Sequence, residues 1–357
     1  MKTIKNVENL KDVKVLVRLD LNVPIENGHI VDDFRIRKSL PLINFLDSKG
    51  AHLILISHIE TKENPTLKPV AEYLNKLGIK CVFEKNYKKA LNNKNKIILL
   101  ENLREHEGEK KNDKAFAKEL ASLADIYVNE AFSVSHREHA SVCAITEFIP
   151  SYMGLQFEEE VKNLSLAFKP EHPFLFILGG AKFETKLPLV EKFISIADSV
   201  FIGGALANDF FKAQGKDIGS SLTSTTDLDL NKFLNNKKLS LPVDHILKDT
   251  AIMDVGMNTI EQLRKEIDKA KFILWNGPLG AYETGYKSGT LQLSEILAEA
   301  TGKGAKTIVG GGDTLATIAE LKLEDSFTFV STGGGAMLDF LAKGTLPGIQ
   351  ALEKSIV

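Results

Sequence analysis

Apolar residues along the chain follow two alternating rhythms. Short unbroken runs such as VLV (15–17), LILI (53–56), IILL (97–100), FLFIL (174–178) and FILW (272–275) alternate with longer stretches in which apolar positions recur every three or four residues. An unbroken run of four or five apolar residues fits a strand buried on both faces of a parallel sheet, and the three-to-four spacing fits an amphipathic helix. Helices are predicted over 35–50, 115–124, 186–197 and 259–270. Repeated strand-then-helix units imply an α/β fold with parallel sheets and right-handed crossovers. A chain of 357 residues exceeds the size at which one core stops growing, so two domains are expected. The segment EFIPSYMGLQ (147–156) carries Pro150 and Gly154, and LQFEEEVKNLSLAF after it reads as a long amphipathic helix. The expected division is therefore 1–153, 154–342 and a tail, 343–357, that packs back on the first domain.

The strand ends differ between the halves. In the second half FLFILGG (174–180), SVFIGG (199–204), FILWNGP (272–278), TIVGGG (307–312) and FTFVSTGGG (327–335) all run into glycine. Ligands of open α/β sheets bind beyond the carboxyl ends of strands, where bare N–H groups and helix N-termini favour anions, so this rim suits a nucleotide. In the first half VLVRLDLN (15–22), LILISH (53–58), IILLENLR (97–104) and IYVNEAF (126–132) end on polar and cationic residues. That rim suits a small acidic substrate, and the two together imply group transfer.

A net charge of −2 supplies no general field for nucleic acid or a membrane surface, so an anion site must be local. Of the 45 basic residues six are arginines, and five of these (Arg18, Arg35, Arg37, Arg104 and Arg137) lie in the first half. Arginine's planar fork suits bidentate recognition of phosphate or carboxylate. The first residues lack a secretory apolar core and no run is long enough to span a membrane, so a cytoplasmic protein is expected. Cys81 and Cys143 stand apart, as inert thiols rather than a disulfide or metal knuckle. There is no GxxxxGK[ST], GxGxxG after a strand, HExxH or GxSxG motif, which removes the usual warrant for P-loop, dinucleotide, zinc-protease and α/β-hydrolase readings.

VRLDLNVP, DDFRIR, LLENLR, SHREHAS, LGGAKFETK, WNGPLG, VGGGDT and STGGGA, in this order from about Val15 to Leu352, closely resemble the successive motifs of the phosphoglycerate kinases. The resemblance implies two Rossmann-like domains joined by a hinge and a long inter-domain helix. It also implies magnesium-dependent phosphoryl transfer between 1,3-bisphosphoglycerate and ADP, giving 3-phosphoglycerate and ATP, in a monomer. By the same resemblance Asp20, Asn22, Arg35, His58, Arg104 and Arg137 surround 3-phosphoglycerate. Gly180, Ala181, Lys182, Lys186, Gly203, Asn276, Glu283, Gly311, Gly312, Asp313 and Thr314 bind the nucleotide, Asp313 through Mg2+. Arg35, Lys186, Gly312 and Gly335 are the expected catalytic set.

One departure is chemical. After Ser57 and His58 the family usually has a Gly-Arg-Pro loop, whereas this chain reads Ile59, Glu60, Thr61, Lys62, with Lys62 a partial replacement for the missing arginine. Weaker substrate binding is expected, and a nucleotide-binding or regulatory member without turnover is the alternative. Ser133, Ala205 and Met257 also depart from the family pattern, at two glycines and a proline.

Overall fold

The structure, a computed structural model, describes residues 2–60, 65–181, 183–226 and 229–356. Its chain divides into two compact units, Met1–Lys162 with Thr345–Val357, and Asn163–Gly344.

Unit 1 is built on six parallel strands: β1 (Lys14–Arg18), β2 (His52–Ile56), β3 (Cys81–Glu84), β4 (Ile97–Leu100), β5 (Ile126–Asn129) and β6 (Ser151–Met153), in the order β3-β4-β2-β1-β5-β6. Val15 of β1 lies opposite Leu53 on one side and Ile126 on the other. Val15, Val17, Leu55 and Val128 are wholly buried in a core that also takes Leu42, Ile43 and Leu46 from the helix Phe34–Ser48. Each such aliphatic side chain contributes about 1.5–3 kcal/mol on burial. After β1 the chain builds outward in one direction through β2, then crosses to the other side with β5. The carboxyl ends of β1 and β5 are therefore the switch point, where an open α/β sheet leaves a crevice for ligand.

Unit 2 repeats the plan. Strands β7 (Phe174–Leu178), β8 (Ser199–Ile202), β9 (Leu239–Ser240), β10 (Phe272–Asn276), β11 (Lys306–Gly310) and β12 (Phe329–Ser331) form a parallel sheet in the order β9-β8-β7-β10-β11-β12. All five residues of β7 and of β10 are buried, as expected for central strands covered by helices on both faces. The switch point here lies between the ends of β7 and β10, at Gly179–Gly180 and Gly277–Pro278.

The expected long helix after Gly154 is shorter: Leu155–Ser165 is α-helical, Leu166–Phe168 is a single 3-10 turn, and the boundary between the units falls inside it. Residues 345–357 belong to unit 1. There the helix Pro347–Glu353 buries Ile349 and Leu352, the Gly348 N–H donates to Ser135 O at 2.9 Å, and the Ser151 N–H donates to Ser355 Oγ at 3.1 Å. No described helix is long and apolar enough to cross a membrane.

Candidate active site

The cationic rim of unit 1 starts with a guanidinium inside the sheet. Arg18, the last residue of β1, is fully buried, and its Nε donates to Ser141 Oγ at 2.9 Å, its Nη1 to Leu19 O at 2.6 Å and its Nη2 to His58 Nδ1 at 3.1 Å. Ser141 is in turn held by Glu109, whose Oε1 accepts from its hydroxyl at 2.6 Å and Oε2 from its N–H at 2.9 Å. The buried arginine is thus compensated by a buried carboxylate through one hydroxyl. An arginine can only donate, so His58 Nδ1 is the acceptor and the ring proton sits on Nε2. Burial pushes the His58 pKa far below its ordinary value, helped by the charges of Arg18, Arg104, Arg137 and Arg35. Of these arginines Arg18 ends β1, Arg104 and Arg137 follow β4 and β5, and Arg35 lies in the first turn of the helix Phe34–Ser48.

Asp20 and Arg35 meet directly: Arg35 Nη1 donates to both Asp20 oxygens, at 3.1 and 3.0 Å, and Ser133 Oγ donates to Asp20 Oδ2 at 2.7 Å. Ser133, which stands where the family usually has glycine, adds a bond here. Asn22 Oδ1 accepts the Glu60 N–H at 2.9 Å. The Arg104 side chain is only 6% exposed and its Nη1 pairs with the Glu60 carboxylate. None of its three nitrogens, Nε, Nη1 or Nη2, makes a hydrogen bond among the described residues, so the contact with Glu60 is an ion pair alone. Burial, together with repulsion from Arg137 and Arg18, lowers its pKa to about 10. Arg137 is exposed, with its Nε donating to His136 Nε2 at 3.3 Å. His139 is buried and its pKa falls to about 4, first through burial and then through Arg104. Thr61 and Lys62 lie outside the described residues.

In unit 2 four described helices begin within a few residues of the ends of strands of the six-stranded sheet: Phe183–Ile196, Ala205–Ala213, Gly312–Glu320 and Gly335–Lys343. The last three are preceded by Gly204, Gly311 and Gly334, which offer no capping side chain. The Leu206 N–H donates to Gly180 O at 3.1 Å and the Ala336 N–H to Gly333 O at 2.9 Å, whereas among the described residues the first N–H groups of Gly312–Glu320 stay open to an anion. Lys186 lies on the first of these helices, buried at the switch point, where its ammonium donates to Gly179 O. Gly180 has φ +86°, and a Cβ there would stand 2.7 Å from Lys186 Nζ, so glycine keeps space for the lysine. Ala181 is exposed next to it, and Lys182 lies outside the described residues.

The remaining expected nucleotide residues separate into exposed or partly exposed positions and buried structural ones. Asp313 sits in the first turn of Gly312–Glu320, partly exposed, and among the described residues nothing binds its carboxylate. Gly312 and Gly335 are exposed at the starts of their helices. Thr314 is buried, and its Oγ1 accepts the Gly277 N–H at 3.1 Å, tying the β10 loop to that helix rather than facing solvent. Asn276 is also buried, with Nδ2 3.7 Å from Met337 Sδ. Gly203 is packed so closely that a Cβ would lie 2.7 Å from Leu279. Glu283 is exposed in the short turn Tyr282–Thr284. Both cysteines are raised to about 12 by burial, as befits inert thiols.

Sequence reasoning passed over Arg18, Glu109 and Ser141 as site residues. An arginine inside the apolar run VLVRL was the available signal, because a buried guanidinium needs partners.

The family model described as phosphoglycerate kinase matches residues 4–344. The phosphoglycerate kinase of Dictyoglomus turgidum is 40% identical, over 97% of this chain and 97% of its own. That of Syntrophobacter fumaroxidans is 41% identical over 99% of each. Among solved structures, phosphoglycerate kinase from Coxiella burnetii superposes with a TM-score of 0.85 at 34% identity, covering 99% of this chain and 98% of that one. The enzyme from Pyrococcus horikoshii gives 0.84 at 28% identity, with the same coverage.

Proposed function

The chain belongs to the phosphoglycerate kinase family, and from that premise we propose how its residues divide the work. The reaction is reversible transfer of a phosphoryl group between 1,3-bisphosphoglycerate and ADP, giving 3-phosphoglycerate and ATP. In the ATP-consuming direction the carboxylate of 3-phosphoglycerate attacks the γ-phosphorus and the bond to the β-phosphate oxygen breaks. A carboxylate with a pKa of about 4 is already ionised near neutrality, so no general base is required. Catalysis then reduces to in-line positioning and to neutralising the moving phosphoryl.

In this reading Arg35, Arg104, Arg137 and His58 hold the phosphate and carboxylate of 3-phosphoglycerate, with Arg18 fixing the imidazole so that Nε2–H points away from its own partner. Asp20 orients Arg35, and Asn22 holds the loop after β2. The amides at Gly312 and Gly335 and the ammonium of Lys186 stabilise the transferring group, while Gly180, Ala181 and Gly311 line the phosphate track and Lys182 is the further expected cation for the nucleotide phosphates. Asn276, Thr314 and Gly203 act by shaping that track, and Glu283 faces the ribose. Asp313 presents a hard carboxylate oxygen that no other described residue engages, which fits Mg2+ carried on the nucleotide phosphates. The ion supplies charge neutralisation across those phosphates. Each chain carries both rims, which supports a monomer as the acting species, and the small soluble substrates fit a cytoplasmic setting.

The observation that carries the reading is geometric: at the carboxyl-end side of unit 1 the buried His58 takes Arg18 Nη2 on Nδ1 at 3.1 Å, the buried Arg104 makes no hydrogen bond among the described residues, and Arg35 is held by Asp20. The test is a coupled assay of the purified protein with Lys186→Ala alongside. The substitution is expected to cost about 10² to 10³ in kcat, as for loss of a transition-state donor. A variant with near-wild-type turnover removes Lys186 from the transfer step.

A further inference from the structure

The loop that follows β2 ends on an acid turned onto the substrate-side arginine. Ile59 is clamped by Asn102, whose Oδ1 accepts its N–H at 3.2 Å and whose Nδ2 donates to its carbonyl at 2.9 Å. The next residue donates its own N–H to Asn22 Oδ1 at 2.9 Å. With the backbone held at both residues, the Glu60 carboxylate is not needed to keep the loop in place. It is 58% exposed, yet it pairs with Arg104, which is only 6% exposed.

The partner explains the preference. The Arg104 guanidinium is buried beside Arg18 and Arg137, and none of its three nitrogens makes a hydrogen bond among the described residues; the Glu60 carboxylate meets it as an ion pair only. A buried cation with unused donors among like charges attracts whichever anion can reach it. Where the family usually has a glycine, this chain supplies an anion of its own. We infer that Glu60 is a built-in counter-anion that competes with the acidic substrate for Arg104 and so sets substrate affinity.

This inference rests on the reading of the cationic rim as the 3-phosphoglycerate site. It predicts a particular pattern. Competition from within the chain divides the affinity of every anion that uses Arg104 by one common factor, the inverse of the fraction of molecules with Glu60 withdrawn. Ligands of unit 2 are not touched by that factor. Because Glu60 is more than half exposed, solvent screening keeps the factor modest, roughly threefold to tenfold.

The experiment is calorimetric titration of the full chain with 3-phosphoglycerate, inorganic phosphate and magnesium ADP in separate runs, for wild type, E60Q, E60A and R104Q. Support is a gain in affinity of roughly threefold to tenfold for both anions in E60Q and E60A, by the same factor, with magnesium ADP binding as in wild type. If R104Q loses 3-phosphoglycerate while E60Q and E60A bind it no better than wild type, the counter-anion role is overturned and the substrate site stands. If R104Q binds as well as wild type, or if none of the four proteins binds 3-phosphoglycerate, the substrate-site reading itself fails and the inference falls with it. A gain in E60Q that extends to magnesium ADP also overturns it, since competition at Arg104 cannot reach that ligand.

Discussion

His58 owes its protonation state first to burial and then to the arginines around it. Arg18 donates to its Nδ1, and burial among arginines holds the ring neutral well below the usual imidazole range. The folded-state pKa is depressed, so the contribution to stability is fully present above the unfolded value of about 6.5 and declines as pH falls below it. Between pH 7.5 and 5.5 the unfolded chain takes up a proton that folded His58 refuses, which removes about 1.4 kcal/mol. Urea unfolding at the two pH values should show this loss in wild type, and His58→Gln should reduce it by that amount. For the same reason 3-phosphoglycerate affinity should show no histidine step near pH 6.5, a result that a binding titration across pH 5.5–7.5 checks directly. At this scale the position of His58, Arg104 and Arg137 just beyond buried strands was legible, since a polar or cationic residue after an unbroken apolar run marks where the strand leaves the core. Arg18, Glu109 and Ser141 were not, because their chemistry depends on a contact spanning 123 positions between Arg18 and Ser141 that no local pattern encodes.

Among the elements, the helix Leu155–Ser165 begins on a buried acid from another strand end. Glu130, one residue beyond β5, accepts the N–H groups of Gln156 and Phe157 at 3.0 and 3.2 Å. Burial raises its pKa to about 8, those two N–H groups and Lys5 offsetting part of the effect. A raised folded-state value means that the stability contributed by the protonated form is complete below about 4.5 and is lost as pH rises through about 8. Between pH 5.5 and 8.5 the stability of Glu130→Gln relative to wild type should therefore improve by on the order of 3 kcal/mol, read from denaturant midpoints. A second prediction concerns the β7 turn. Gly180→Ala must fit a Cβ 2.7 Å from Lys186 Nζ at a φ of +86°, so it should destabilise unit 2 by about 1–3 kcal/mol and lower kcat with the displaced lysine. The long central strands were readable because both faces are covered and the run is unbroken. The hairpin His245–Lys248 with Ala251–Val255 was missed: all four residues of its first strand are exposed, so burial writes no period into the sequence there.

At the scale of the whole molecule, unit 1 depends on residues far from it in the chain. Leu346, Ile349 and Leu352 are buried, and each aliphatic group contributes about 1.5–3 kcal/mol, a sum comparable to the roughly 5–15 kcal/mol that holds a domain folded. Deleting 345–357 should lower the unfolding transition of unit 1 and weaken 3-phosphoglycerate binding, while nucleotide binding survives. Calorimetric scanning with each ligand separates the two effects. The expected boundary at 153 and the observed division after Lys162 differ because Pro150 and Gly154 mark where the chain turns, whereas contacts decide which unit the following helix joins.

Unit 2 is one continuous stretch, whereas unit 1 takes its last piece from beyond Gly344. During synthesis the two therefore mature in the reverse of chain order. A nascent chain stalled once Gly344 has cleared the ribosomal tunnel has every residue of its glycine rim available to fold, while its arginine rim, translated first, still waits for a helix not yet made.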